Sequence, residues 1–60
     1  MLNASPQERL RRIMDRLHAG SVSVQELSRK MGVSEITIRR DLASLERDGK
    51  LLRVHGGAIP

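Results

Sequence analysis

The chain has no cysteine, phenylalanine, tryptophan or tyrosine. Without cysteine there is neither a disulfide nor a thiolate metal site, so an all-aliphatic core has to hold the fold together. That core is small: a domain of 60 residues buries only about 60% of its unfolded surface. Without aromatic rings there is nothing on which to stack an unpaired base, which argues against single-strand binders and most sequence-specific RNA modules. Long apolar runs are missing too. None exceeds a pair such as Ile13-Met14 or Leu51-Leu52, so no segment reads as a membrane span or a signal-peptide core. The two histidines, His18 and His55, stand 37 residues apart and make a poor start for a metal cage. Too short for both a core and the walls of a deep pocket, the chain is expected to be soluble, cytoplasmic and not an enzyme, with no cofactor.

What is present is basic charge, 11 Lys+Arg against 7 Asp+Glu for a net +4. Such a balance points to duplex nucleic acid, an acidic protein surface or an anionic membrane, and charge alone does not choose. Its distribution is uneven, with 6 basic and 3 acidic residues up to position 33 and 5 and 4 after it.

Ser5-Pro6-Gln7-Glu8 has the pattern of a capping box with proline at the first helical position. Leu10, Ile13, Met14 and Leu17 then follow at helical spacing, and Gly20 supplies the stop. Glu8, Arg12, Asp15 and Arg16 lie on the opposite, solvated face, while His18 suits the C-terminal dipole. Ser21-Val22-Ser23 reads as one strand rung. Ser23-Val24-Gln25-Glu26 repeats the capping pattern and starts a short second helix with Val24, Leu27 and Met31 inward. Ser28 puts a small side chain on that face, and Gly32 fits a left-handed C-cap. Val33 plugs the turn. Ser34 caps a third helix expected over 35–48, ended by Gly49. Beyond it, Lys50 to Val54 and Ala58 to Pro60 read as two short strands around a His55-Gly56-Gly57 turn. A returning strand that stops almost at once suggests the N-terminal piece of something longer.

A short helix, a tight turn and a longer helix make a helix-turn-helix, whose second helix enters the major groove. At 100° per residue, Leu42 and Leu45 lie within about 40° of Ile38, and these define the core side. Ile36, Arg40, Ala43 and Arg47 fall on the far side, flanked by Thr37, Ser44 and Arg39. Arginine can grip guanine O6 and N7 in a bidentate way, and Thr or Ser can bond bases or phosphates. Ile36 is open to three readings: a thymine-methyl contact, a scattered surface apolar residue, or packing against the ribbon. Asp41 is expected to fix an arginine or accept a backbone bond, ahead of accepting from a cytosine amino group. Arg53 and His55 add a second basic element beside glycines that let the backbone approach phosphate oxygens. No carboxylate or second ligand stands near His55 for catalysis or metal binding.

The string Ser34-Glu35-Ile36-Thr37-Ile38-Arg39-Arg40-Asp41-Leu42, followed by Leu45-Glu46 and Arg53-Val54-His55-Gly56-Gly57-Ala58, resembles the N-terminal domain of the DeoR family of bacterial transcriptional repressors. The likeness continues upstream through Arg9-Leu10, Ile13, Gly20, Ser23-Val24 and Glu26-Leu27. It implies a mainly α fold with a small β-ribbon, a winged helix-turn-helix of three helices and a two-stranded wing. The helix-turn-helix would span about 22–41 and the wing about 50–60. It also implies operator DNA as partner and a C-terminal domain, absent from this chain, that binds a sugar phosphate and forms a homo-oligomer. The residues expected to meet DNA are Ser23, Ser34, Glu35, Ile36, Thr37, Arg39, Arg40 and Arg47, with Arg53, His55, Gly56 and Gly57 on the wing. The rival readings are a winged-helix protein-interaction module that does not bind DNA, and recognition of structured RNA by shape.

Overall fold

A serine opens each of the three helices in the computed structural model, which describes residues 5–60. Helix α1 (Pro6–His18) starts on Ser5, whose Oγ accepts the Glu8 N–H at 3.2 Å. Helix α2 (Val24–Met31) starts on Ser23, which accepts from the Glu26 N–H at 2.9 Å. Helix α3 (Glu35–Arg47) starts on Ser34, which accepts from the Thr37 N–H at 3.1 Å and donates to Thr37 Oγ1 at 3.0 Å. Each serine thereby satisfies one of the backbone donors that a helix leaves unpaired at its start. Among the described residues only this half of the capping box is seen. The Glu8 and Glu26 carboxylates turn along their helices to Arg12 at 3.3 Å and Lys30 at 3.4 Å.

The turn between α2 and α3 is tied to one residue. Gly32 takes the left-handed conformation (φ 68°) and donates its N–H to the Ser28 carbonyl. The Ser28 hydroxyl donates to the Val33 carbonyl at 2.6 Å, so this residue is more than a small spacer. It satisfies the carbonyl that the turn would otherwise leave half-buried without a partner. Helix α3 ends at Arg47 with Asp48 as its cap, one residue before the expected end, a difference within ordinary end fraying.

Three strands complete the domain: β1 (Val22–Ser23), β2 (Leu52–Val54) and β3 (Gly57–Ile59), all antiparallel in the order β1-β3-β2. The ribbon is therefore β2–β3, and the two residues of β1, one more rung than expected, make it a three-stranded sheet. Lys50 and Leu51 lie outside the ribbon. Lys50 donates its N–H to the Leu45 carbonyl at 2.9 Å, and Leu51 enters the core. Ala58, paired with Val22 and Arg53, is fully buried. Leu52, Val54 and Ile59 are exposed, as the alternation of a strand requires of the sheet's other face.

The core joins Ile13 and Leu17 of α1, Val24 and Leu27 of α2, and Ile38, Leu42 and Leu45 of α3 to Leu51 and Ala58. Burying one such branched side chain contributes about 1.5–3 kcal/mol. Leu10, Met14, Val22, Met31 and Val33 pack around the rim. Helices α1 and α3 share a polar link as well. Arg9 donates from Nε to Asp41 Oδ2 at 2.5 Å and from Nη2 to Oδ1 at 3.1 Å. The arginine that Asp41 fixes thus comes from the first helix. The hydrogen bond to Asp41, opposed by burial, holds the guanidinium pKa above its ordinary value.

Candidate nucleic-acid interface

Because α3 spends Ile38, Leu42 and Leu45 on the core, the residues half a turn away must face outward. Ile36, Arg39, Arg40 and Arg47 are exposed, with Ala43 and Ser44 half-buried among them. Ile36 is 61% exposed. Among the described residues Arg40 and Arg47 have no carboxylate partner. Arg39 is held by Glu35 one turn earlier, Nη2 to Oε1 at 3.2 Å. Thr37 sits on the flank with its hydroxyl engaged by Ser34. The face is thus a strip of two free cations, one apolar side chain and small neighbours, bordered by ion-paired and capped groups.

The wing leans on this helix through a single acid. Glu46 accepts from the Arg53 guanidinium (Nε to Oε1, 3.0 Å) and from the Arg53 backbone N–H (to Oε2, 3.1 Å). β2 is an edge strand, and the carboxylate supplies the partner that this N–H lacks within the sheet. These two donors hold the Glu46 pKa below its ordinary value, the backbone bond first and the guanidinium bond second. Between α3 and the wing lies an open cleft of about 550 Å³ lined by Arg39, Glu46, Arg53, His55 and Gly56. Ser23, Gln25 and Glu35 line its continuation toward the start of α2.

Gly56 makes the turn expected of it, and both wing glycines also have structural duties beyond that turn. Gly56 has φ +78° at the tip of the hairpin, a conformation cheap only for glycine. Its carbonyl accepts the Val24 N–H at 2.9 Å, fastening the tip to the start of α2. Gly57 is buried, and a Cβ there would stand 2.0 Å from the Val22 carbonyl oxygen. The close approach it permits in the folded chain is thus to strand β1 of its own sheet. Arg39, Arg53, His55 and Gly56 come together in the cleft, while Ile36, Arg40 and Arg47 share the outer face of α3.

Sequence reasoning passed over Glu46 as a partner for Arg53 and did not name Arg9 as the partner of Asp41. Seven residues and a turn separate the first pair and 32 residues the second. Neither separation has a local spacing rule, unlike the i, i+4 pair of Glu35 and Arg39. Among the described residues no group of three or more His, Cys, Asp or Glu side chains converges to hold a metal. No helix among them is long and apolar enough to cross a membrane.

Residues 9–59 match the family model of the DeoR-like helix-turn-helix domain. The chain is 43% identical over 53 residues to the lactose phosphotransferase system repressor of Lactococcus lactis, covering 87% of this chain and 21% of that protein. It is 48% identical over 56 residues to the HTH-type transcriptional regulator GlpR of Haloferax volcanii, covering 92% and 22%. To the regulator GolR of Listeria innocua it is 46% identical over 55 residues, covering 90% and 22%. The chain therefore spans about a fifth of the length of these relatives. No solved structure gives a significant match.

Proposed function

Because the chain belongs to the DeoR-like helix-turn-helix family, we propose that it is the double-stranded DNA-binding unit of a transcriptional regulator. Helix α3 enters the major groove, and the wing lies over the adjacent backbone. The observation that carries this reading is the outer face of α3, where Arg40 and Arg47 stand exposed without a carboxylate partner. Small Ala43 between them leaves room for close approach to base edges. Ile36 is assigned to a thymine methyl, and Arg53 and the wing tip to phosphates. Ser23, Ser34, Glu35, Thr37, Arg39 and His55 border the same surface. Relatives named as a lactose phosphotransferase system repressor and as transcriptional regulators support repression of a sugar operon as the task. The regulator would be a cytoplasmic homo-oligomer whose effector domain, lying beyond these 60 residues, binds a sugar phosphate.

The test is selection of bound duplexes from a random pool, followed by titration of the selected and random duplexes and of double-stranded RNA. Arg40→Ala and Arg47→Ala are each expected to cost about 1–3 kcal/mol on the selected duplex and to relax preference at one base pair. Equal loss on every sequence would make them phosphate contacts. Binding to the RNA as tight as to the selected duplex would overturn the reading. A single module buries about 600–1,000 Å² of protein surface, so the isolated chain binds more weakly than a linked pair.

A further inference from the structure

The wing holds a small oxyanion seat that the protein fills with its own side chain. The Arg53 backbone N–H and guanidinium Nε converge on the two oxygens of Glu46 at 3.1 and 3.0 Å. Arg39 lines the same cleft, and its own charge is met by Glu35. Two donors from one residue, aimed at adjacent oxygens and open to a cleft, suit a phosphodiester as well as a carboxylate. The Arg53 and Glu46 side chains are 46% and 37% exposed, and an ion pair in that setting is weak enough to be exchanged.

We propose that Glu46 is an internal stand-in for a DNA phosphate, occupying in the free chain the Arg53 seat that a backbone phosphate takes when a duplex binds. This rests on the DNA-binding reading and names one contact within it. The exchange leaves a carboxylate facing a polyanion, so Glu46 lowers the affinity of the wing for any duplex. It also changes the ion count: the displaced carboxylate takes up a cation while the phosphate gives one up. Glu46 therefore flattens the salt dependence of binding. Its second duty is to satisfy the edge-strand N–H of Arg53, and that duty does not need charge. A glutamine at position 46 keeps an oxygen for the N–H, while its amide nitrogen, a donor, gives up the guanidinium along with the charge.

The experiment is a titration of fluorescently labelled random-sequence duplex by anisotropy at several potassium chloride concentrations. It compares the wild-type chain, Glu46→Gln, Arg53→Ala and the double variant, with helix content checked by circular dichroism. Glu46→Gln is expected to bind about two- to fivefold tighter, the range set by the release of one exposed ion pair. Its slope of log affinity against log salt steepens by up to about 0.9, the value for one further counterion released. Arg53→Ala weakens binding, and adding Glu46→Gln to it brings a smaller gain than in the wild-type chain, because only the carboxylate's repulsion is relieved and no seat is freed. Unchanged or weaker binding by Glu46→Gln, or a gain undiminished without Arg53, overturns the proposal. Failure of all four chains to bind any duplex overturns the DNA-binding reading itself.

Discussion

Replacing Arg9 by methionine keeps most of the aliphatic stem and strands the Asp41 carboxylate between α1 and α3. An exposed ion pair is worth at most about 1 kcal/mol, whereas breaking a buried one costs about 3–5 kcal/mol because a charge is left without a partner. The Arg9 and Asp41 side chains are only 15% and 11% exposed and share two hydrogen bonds. The cost is therefore placed between the exposed and the fully buried case, at about 2–3 kcal/mol. A chain of 60 residues has a total stability of about 3–9 kcal/mol, so this one change removes at least about a fifth of it. The melting temperature should fall by roughly 8–24 °C. With no aromatic residue to report by fluorescence, the assay is urea and thermal unfolding followed by far-ultraviolet circular dichroism of the helices. The companion Asp41→Leu removes the stranded charge, and Arg9→Met with Asp41→Leu should recover most of the loss, as apolar replacements of buried ion pairs do. A loss below about 0.5 kcal/mol for Arg9→Met, the level of an ordinary surface substitution, would refute the reasoning. So would a double variant whose loss equals the sum of the singles, since pairs in contact do not add.

Gly57→Ala places a Cβ 2.0 Å from the Val22 carbonyl oxygen, and backbone on both sides leaves no side chain to give way. It should cost at least about 1–3 kcal/mol and speed amide exchange in β1 and β3. Acid titration isolates Glu46, whose pKa lies below its ordinary 4.5 in the folded chain. A lowered folded-state pKa means stability present above the unfolded value and lost as pH falls through the folded one. The difference in melting temperature between wild type and Glu46→Gln should therefore be constant above about pH 4.5 and shrink below it; a constant difference down to pH 2.5 would count against the assignment. Ser34→Ala removes the acceptor for the Thr37 N–H and should cost about 1 kcal/mol in urea unfolding, with Ser34→Asp restoring it.

Where the chain speaks locally, its fold is legible. Ser5, Ser23 and Ser34 mark the three helix starts, and Gly32 the end of the second, because a cap acts within one turn of the helix it serves. The apolar spacing likewise identifies Ile13, Leu17, Leu27, Ile38 and Leu42 as inward, since periodicity along a helix is enough to define a face. Arg9 with Asp41 and Glu46 with Arg53 depend on which surfaces meet, and no residue spacing encodes that. Gly57 shows a subtler limit. Its lack of a side chain advertises permission for a close approach without naming the neighbour, which proves to be Val22. The capping pattern at Ser5 and Ser23 was half informative: the serine bonds are local and form, while Glu8 and Glu26 had arginine or lysine alternatives one turn on.

The sheet order carries a consequence for how the chain comes into being. β3 is made after the other two strands of its sheet and is the central one in space, paired with β1 on one edge and β2 on the other. Each helix holds its own serine cap and can begin to wind as it leaves the ribosome. Val22, by contrast, waits for Ala58, which is synthesised 36 residues later, a delay of roughly 2–7 s at about 5–20 residues per second. Helix α3 is complete before the wing has anything to zip onto. Vectorial synthesis therefore produces first the helix-turn-helix and last the strand that locks it, so β3 acts as the closing clasp of this domain.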